Sequence, residues 1–339
     1  MRVSRRKLLG AGSAAALAGA VPAFALDAES DTITIDAKPI ASLLPREPDR
    51  TRFGALTYRS GLVLSSGTSG FGGFSALSRS PDGTRLVSIT DRGSWLTAAI
   101  RYDGARLAGL AEARLAPIRN QQGEPLRRAQ GYDTESLAFA EDGTAYIGSE
   151  RINEVWRFPW ASDGVLARGT PIPVPPEVKQ LPNNEGLEAL AIPPGGHALA
   201  GSVIAVAERA RAGDDAPTRG WVLTGPQQFA FDVARSNGFD ITDLAFLPSG
   251  EALLLERRYR ILTGVACRIR RLAPDVFRPG ATVDGEVIFE VDRQYEIDNM
   301  EGIAIHRDPN SRALIVTLVS DDNFSPLQRT LLLEFLLES

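Results

Sequence analysis

Alternating apolar and polar positions around tight turns recur along this chain. The clearest example is residues 131–151, in which an apolar-rich run at 136–140 is followed by a turn at 141–144 and a second run at 145–149. The Asp-Gly pair in the turn supplies a glycine that accepts a positive φ, and the two runs cover one face of a sheet. This segment predicts a β-hairpin that ends in an acid and an arginine.

The same hairpin pattern occurs five times along the chain. The copies occupy residues 74–93, 133–151, 185–209, 240–258 and 299–323, and their first strands start 60, 53, 54 and 59 residues apart. The chain between copies has room for two further strands, and four short strands per module are typical of a β-propeller blade. We therefore predict an all-β fold in which residues 26–339 form a single propeller of four-stranded blades. A β-sandwich is the alternative, but it does not predict five copies of one hairpin.

The ends of the chain are predicted to close the ring. The last copy has only its own two strands and residues 330–337, so its fourth strand must come from elsewhere, and the N-terminal run at 32–37 could supply it. Residues 53–66 are interpreted as two short strands around Arg59-Ser60-Gly61, which resembles a shortened sixth copy. The repeats thus indicate five clear blades and leave a sixth open.

Residues 1–25 have the features of an export signal. Four basic residues precede an apolar run at 8–20, and residues 21–25 end in the small-x-small pattern that signal peptidase accepts. Residues 4–9, SRRKLL, match a twin-arginine signal. A membrane anchor is the weaker alternative because the apolar run is short for a bilayer. We expect a periplasmic or secreted protein with no integral membrane span after signal removal.

The charge balance limits the classes of partner. The chain has 37 basic and 42 acidic residues, and removal of residues 1–25 takes away four basic and no acidic side chains, which leaves a net charge of −9. This balance argues against nucleic acid or anionic lipid as the main partner. We expect a monomer that takes a small anionic or ester ligand. Cys267 is the only cysteine, which excludes a disulfide within the chain, and its apolar context predicts burial.

The repeat places polar residues in two columns. The first opens the first strand of each copy and contains Ser75, Glu135, Glu188, Thr242 with Asp243, and Glu301. The second closes the second strand and contains Asp91, Glu150, Glu208, Glu256 and Asp321. Because the first strand of every blade lines the central channel, equivalent positions converge around one axis. Converging carboxylates repel one another, and their pKa values rise unless a cation neutralises them.

Two kinds of cation could do this. A hard metal ion such as Ca²⁺ takes six to eight oxygen ligands, for which the candidates are Glu135, Glu188, Glu301, Asp321 and Asp322. Arginines that follow four of the second-column acids are the other candidates, and they could also bind an anionic substrate: Arg92, Arg151, Arg209 and Arg257. The structural alternatives remain open, namely ion pairs between blades and hydrogen bonds from loop amides.

Five short runs resemble a known family. They are residues 135–138 (ESLA), 184–191 (NEGLEALA), 255–258 (LERR), 299–304 (NMEGIA) and 320–324 (SDDNF), and they resemble the phytase-like family described as esterase-like activity of phytase, whose members are exported bacterial proteins. The resemblance implies a propeller related to the calcium-dependent phytases and six blades rather than five. It favours a metal-assisted hydrolase of ester or phosphoester substrates.

Two other functions stay open at this point. The sequence contains no Gly-x-Ser-x-Gly nucleophile motif and only two histidines, so no catalytic residue is assigned. One alternative is a non-catalytic propeller of the cell envelope that binds a ligand or a partner. The other is a propeller enzyme of the lactonase type, which would also place Ca²⁺ on the axis.

Overall fold

The computed structural model describes residues 30–127, 130, 132–183, 185–209, 213 and 215–338. The export signal predicted at residues 1–25 lies outside this part of the chain. Strands dominate the described residues, and the helices there are single turns at Trp160–Asp163, Gly164–Leu166 and Pro176–Lys179. Within the same residues, no helix is both long and apolar enough to cross a membrane.

The strands of the described residues form five sheets, which we number as blades 1 to 5. From the channel outward, blade 1 contains Phe74–Arg79, Arg85–Thr90, Ser94–Asp103 and Arg106–Pro117, with Asp31–Thr32 at its outer edge. Blade 2 contains Tyr132–Phe139, Ala145–Arg151, Glu154–Phe158 and Arg168–Ile172, with Arg119–Asn120 at its outer edge. Both blades begin with the predicted hairpin.

Blades 3 and 4 repeat this order. Blade 3 contains Leu187–Ala191, Ile204–Ala207, Thr218–Val222 and Phe229–Val233, with the parallel strand Thr282–Val283 outside them. Blade 4 contains Asp240–Phe246, Ala252–Arg260, Gly264–Leu272 and Glu286–Asp292. The innermost strand of each blade contacts those of its two neighbours, including blade 5 with blade 1, so the ring is closed. The predicted propeller is confirmed.

Blade 5 joins the two ends of the chain. Asn299–Arg307, Leu314–Asp321 and Thr330–Leu337 are followed outward by Leu56–Ser65 and Asp36–Ile40, and Arg52–Phe53 pairs with Leu56–Ser65. An N-terminal strand therefore closes the ring, as predicted, but it is residues 56–65 and not residues 32–37. The expected sixth blade is wrong, because the segment interpreted as a shortened sixth copy is this closing strand. The propeller has five blades.

The predicted turn at Gly61 is wrong, and the packing around this glycine gives the reason for its presence. The sequence suggested a turn at this glycine, but Gly61 lies inside a continuous ten-residue strand and pairs with Leu333. A Cβ atom at Gly61 would lie 2.7 Å from Leu333 Cδ2 and 2.9 Å from Tyr58 Oη. The glycine is thus required by close packing rather than by a turn.

The core is divided among the gaps between blades. Five buried apolar clusters occur, and each joins two neighbouring blades: 1 with 2, 2 with 3, 3 with 4, 4 with 5, and 5 with 1. Because both faces of each sheet are covered, the inner strands are apolar on both faces, as in the fully buried run Leu187–Ala191. Cys267 is buried between blades 4 and 5, as predicted, and burial raises the pKa of its thiol.

Candidate functional site at one mouth of the channel

Each innermost strand contains a β-bulge at the same position. In blade 2, Thr134 pairs with Ser149 and Ser136 pairs with Gly148, which leaves Glu135 as the extra residue. A bulge of this kind redirects a side chain and ends regular pairing. The corresponding extra residues of blades 1 to 5 are Ser75, Glu135, Glu188, Thr242 and Glu301. The first predicted column is therefore a set of structurally equivalent positions.

The second column contains one error of register. In blade 2, Glu150 comes directly after Ser149, which pairs with the residue before the bulge. In blade 4 the residue that pairs with Ile241, before the bulge, is Glu256 itself. Arg257, and not Glu256, is therefore equivalent to the four acids Asp91, Glu150, Glu208 and Asp321. A shift of one residue turns a strand side chain to the opposite face, so Glu256 points away from the mouth.

Glu256 belongs to a buried ion cluster instead. Its carboxylate is fully buried and accepts hydrogen bonds from Arg268 at 2.7 and 2.9 Å and from Arg270 at 2.9 and 2.8 Å. Arg270 also donates to Asp284 at 2.6 Å. Bidentate pairs between arginine and carboxylate are strong and directional. This cluster satisfies the charge of Glu256 and gives it a structural role.

Arg257 lies among the acids at the mouth. Its Nη2 donates to Glu208 of blade 3 at 3.1 Å, and its Nε lies 3.3 Å from Glu301 of blade 5. Burial lowers the pKa of Arg257, but Glu301, Glu208 and Glu188 outweigh that effect and raise it. The guanidinium therefore stays charged and links three blades through ion pairs.

The carboxyl groups around Arg257 hold their protons unusually tightly. Burial, and then the charge of neighbouring carboxylates, raises the pKa of Glu135 and Glu188 well above the ordinary value. Burial likewise raises the pKa of Glu150 and Glu301 to about 7 and that of Asp321 to about 9. Burial disfavours the ionised form of each carboxyl group, and the negative charge of neighbouring carboxylates disfavours it further. Such a site favours bound protons or a bound cation.

Three acids at the mouth come close enough to one another to share one metal ion. Asp133, Glu135 and Glu150 are all in the first hairpin of blade 2, and one carboxylate oxygen from each lies within 4.8 Å of the others. Oxygen ligands bind Ca²⁺ at about 2.3–2.6 Å, so oxygens on opposite sides of the ion lie about 5 Å apart. The oxygen-only donor set and its spacing fit such an ion. Asp133 and Glu150 face each other across the strands, a pairing that the sequence analysis did not use.

Of the other predicted metal ligands, Glu188 and Glu301 lie near this triad, and Asp321 lies near Glu301. Glu188 and Glu301 both act on the pKa of Glu135, and Glu301 acts on that of Asp321. Asp322 differs, because its carboxylate accepts hydrogen bonds from Gly73 N at 2.9 Å, Phe324 N at 3.0 Å and Thr330 Oγ1 at 3.0 Å. Its contacts are those of a residue that holds loops in place.

The four predicted arginines have separate partners. Arg92 stacks on the ring of Phe324, with its guanidinium carbon 3.3 Å from the ring centre. Arg151 donates to Asp133 within blade 2 at 2.7 Å. Arg209 reaches from blade 3 to Asp240 of blade 4, with its Nε 3.1 Å from Oδ1. All four side chains are half-buried; Arg92, Arg151 and Arg209 lie at the rim of the mouth, and Arg257 differs in that it pairs with acids of two neighbouring blades.

Neither histidine lies at the mouth. His306 is buried against the far turn of blade 1, where its ring would collide with a Cβ atom at Gly83. Burial, followed by the charge of Arg79, lowers its pKa to about 3. The Nε2 atom of His197 is 2.7 Å from the carbonyl oxygen of Pro274. The acid–base groups that this mouth offers are therefore carboxyl groups.

The fold and the site define a five-bladed propeller with a buried acidic cluster at one mouth of its channel. The chain belongs to the phytase-like family described as esterase-like activity of phytase, whose model matches residues 69–324. The family expected from the short sequence runs is thus confirmed. No curated protein matches the chain in sequence.

Solved structures with a similar fold include several enzymes. The catalytic domain of a GH62 α-L-arabinofuranosidase from Coprinopsis cinerea is 12% identical, with 85% of this chain and 99% of that one covered and a TM-score of 0.51. A putative gluconolactonase is 14% identical, with 93% and 96% covered and a TM-score of 0.39. A PQQ-bound aldose sugar dehydrogenase from Streptomyces coelicolor is 12% identical, with 89% and 99% covered and a TM-score of 0.40. At these identities the likeness concerns the fold alone.

Proposed function

We propose that this protein is a metal-assisted hydrolase of ester or phosphoester substrates and that Ca²⁺ binds at the acidic mouth. The observation that supports this most directly is the triad Asp133, Glu135 and Glu150, whose oxygens have the spacing of a shared ion site. A divalent cation would relieve the repulsion that raises the pKa values there. Membership of the phytase-like family supports a hydrolytic activity.

The acids of the proposed metal site come from three blades. Asp133, Glu135 and Glu150 form the first set, Glu188 and Glu301 lie near it, and Asp321 lies beside Glu301. Asp322 is assigned to loop support rather than to the ion. When bound, Ca²⁺ would supply Lewis acidity, which polarises a carbonyl or phosphoryl oxygen and lowers the pKa of water.

Proton transfer would fall to carboxyl groups beside the ion. A bound cation would lower the pKa of Glu150 most, because Glu150 belongs to the triad, whereas Glu301 lies outside it and has a pKa of about 7 in the metal-free protein. A group with such a pKa serves well as a general acid or base. Of the two, Glu301 is the better candidate, because it lies outside the triad and its Oε1 accepts a hydrogen bond from Asn299 at 2.6 Å.

The anionic part of the substrate would meet the rim. Arg92, Arg151 and Arg209 are half-exposed there, and arginine offers a planar pair of donors that matches a carboxylate or a phosphate. The basic start and apolar run of residues 1–25 support export by the twin-arginine route, so the enzyme would act in the periplasm or outside the cell as a monomer.

Calcium titration and an activity panel test the proposal together. Full-length mature protein is titrated with Ca²⁺ by calorimetry and then assayed on phytate, p-nitrophenyl phosphate, p-nitrophenyl acetate and a δ-lactone, with Ca²⁺ or with EDTA. We expect binding at one site and calcium-dependent turnover of an ester or phosphoester. The Glu135→Gln variant should lose both, whereas Glu177→Gln, a change at an exposed helix residue, should lose neither.

Other outcomes identify the competing functions. Calcium binding without turnover on any substrate would contradict the hydrolase and favour a ligand-binding propeller. Turnover of the lactone alone would favour the lactonase type. Absence of calcium binding, together with an unchanged melting temperature, would overturn the metal site.

A further inference from the structure

The far end of the channel holds a second cavity. Each inner strand runs from the acidic mouth to the turn at the opposite face, and the ends of all five strands line a cavity of about 1130 Å³ there. The residues at corresponding places in blades 2 to 5 are apolar and half-buried: Phe139, Ile192, Phe246 and Ile305. This opening is therefore apolar where the other mouth is acidic.

The cavity continues outward as a groove between blades 1 and 2. One wall is a row of cross-strand partners in blade 1, which runs from Ser78 through Val87 and Thr97 to Arg114 and Thr32. Neighbouring strands are about 4.8 Å apart, so the row extends ~14 Å from Ser78 to Arg114. Trp160 and Val165 of blade 2 form part of the opposite wall.

The charges in this cavity are unequally placed. Arg79 lines the apolar end but is fully buried and already neutralised, because its Nη1 lies 2.8 Å from Glu334 Oε1. At the blade 1 rim, Arg85 and Arg114 are exposed beside a single acid, Glu112, which is 3.3 Å from Arg85. Arg114 has no ion pair among the described residues. An added negative charge is thus favoured at the rim and opposed at the buried end.

We propose that this cavity binds an amphipathic carboxylate of the fatty-acid type, with its hydrocarbon chain in the apolar channel end and its carboxylate at Arg114. The remaining acid in the lining, Glu141, is directed away from the groove towards blade 3, where it accepts a hydrogen bond from the amide of Gly195 at 2.9 Å. Pockets of this size with apolar walls and few polar groups are typical of small-molecule sites. The site is separate from the acidic mouth and does not depend on the metal.

Binding is tested with sodium octanoate, decanoate and dodecanoate below their micelle concentrations. Calorimetry gives the affinity, and a change in tryptophan fluorescence reports occupancy, since Trp160 lines the cavity. Each buried CH₂ group should tighten the Kd by about fourfold, which corresponds to ~0.8 kcal/mol. Dodecanol and dodecyltrimethylammonium test the charge preference, and both should bind at least tenfold more weakly than dodecanoate. EDTA should change nothing.

Two variants locate the site. Arg114→Glu should weaken dodecanoate at least tenfold and leave dodecanol unchanged, whereas Arg46→Glu, at an exposed arginine outside the lining, should have no effect. Ala245→Phe should block the channel end and abolish binding of all chain lengths, with the melting temperature as the control for folding. The proposal is overturned if dodecanoate does not bind, if its affinity is independent of chain length or headgroup charge, or if both arginine variants behave alike.

Discussion

Arg257 Nε lies 3.3 Å from Glu301 Oε1, across the boundary between blades 4 and 5. The same guanidinium donates to Glu208 of blade 3 at 3.1 Å. One arginine thus occupies the position at which the other four blades carry an acid. It is a built-in countercharge at the described part of the mouth, in addition to Arg151 beside Asp133, and a bound metal ion would add to both.

Arg257→Gln should destabilise the protein when no metal is present. Arg257 is half-buried, and its removal leaves the buried carboxylates of Glu208 and Glu301 without this partner, which should cost about 1–3 kcal/mol. Urea unfolding with EDTA should show this loss, and Ca²⁺ should restore much of it, since the ion would replace the missing positive charge. Arg278→Gln breaks an exposed pair with Asp275 and should cost less than about 1 kcal/mol. Equal losses in both variants would contradict the role of Arg257.

Stability without metal should fall as the pH rises. Glu150 and Glu301 have pKa values of about 7 in the folded protein and Asp321 about 9, against ordinary values of 4.5 and 3.8. Because folding raises these values, the stabilisation is complete below the ordinary pKa values and is lost as the pH rises through the folded ones. The free energy of unfolding should fall by up to about 1.4 kcal/mol per pH unit for each group, from its ordinary pKa up to about pH 7 for Glu150 and Glu301 and up to about pH 9 for Asp321.

Denaturant titrations at pH 6, 7.5 and 9 measure this dependence. In EDTA the free energy of unfolding should decline across the series, whereas saturating Ca²⁺ should flatten the decline, because the ion binds the ionised carboxylates. Stability that is constant or rises with pH in EDTA would show that these carboxyl groups are not held protonated by the fold.

Glu135→Gln and Asp322→Asn should separate metal binding from loop support. The Glu135 change removes a charge from the triad, so we expect at least a tenfold loss of calcium affinity and an unchanged or higher melting temperature in EDTA. The Asp322 change weakens bonds to Gly73 and Phe324. It should lower stability by about 1–3 kcal/mol and leave calcium affinity within twofold. Calorimetry combined with thermal unfolding reports both quantities, and a reversed pattern would move the ion towards Asp322.

Gly61→Ala should destabilise blade 5. The added Cβ atom would meet Leu333 Cδ2 at 2.7 Å and Tyr58 Oη at 2.9 Å. Overpacking of this kind costs about 1–3 kcal/mol. Gly67→Ala is the matched control, because a Cβ atom there has no neighbour within 4 Å and the residue does not have a positive φ. Thermal unfolding should distinguish the two, and equal stability would mean that the strand pairing adjusts freely.

The repeated hairpin made the propeller predictable, because each blade repeats the same short-range pattern of apolar runs around a turn. It also located the bulge positions: Glu135, Glu188 and Glu301 were selected by their place in the repeat and converge at the mouth. Local sequence is sufficient for such features. The number of blades cannot be predicted from local sequence, because residues 53–66 look like a hairpin until their partner strand Thr330–Leu337 is known.

The pairing register of the strands limits how well the site residues can be predicted from the sequence. Glu256 was grouped with the acids by residue type, although it lies one residue closer to its bulge than Glu150 does. That single step sends Glu256 to a buried arginine cluster and brings Arg257 to the mouth. Asp133 was overlooked because its importance comes from facing Glu150 across two strands, which depends on pairing rather than on residue type.

The closing strand also fixes the order in which the protein can be completed during synthesis. Leu56–Ser65 is translated long before its inner partner, Thr330–Leu337, and Thr57 bonds to Glu338 across 281 residues. Until then blade 5 is incomplete, and an unpaired strand edge invites wrong partners. Contacts this distant in sequence form slowly. During synthesis the inner edge of residues 56–65 therefore stays without its partner strand until residues 330–337 have been made.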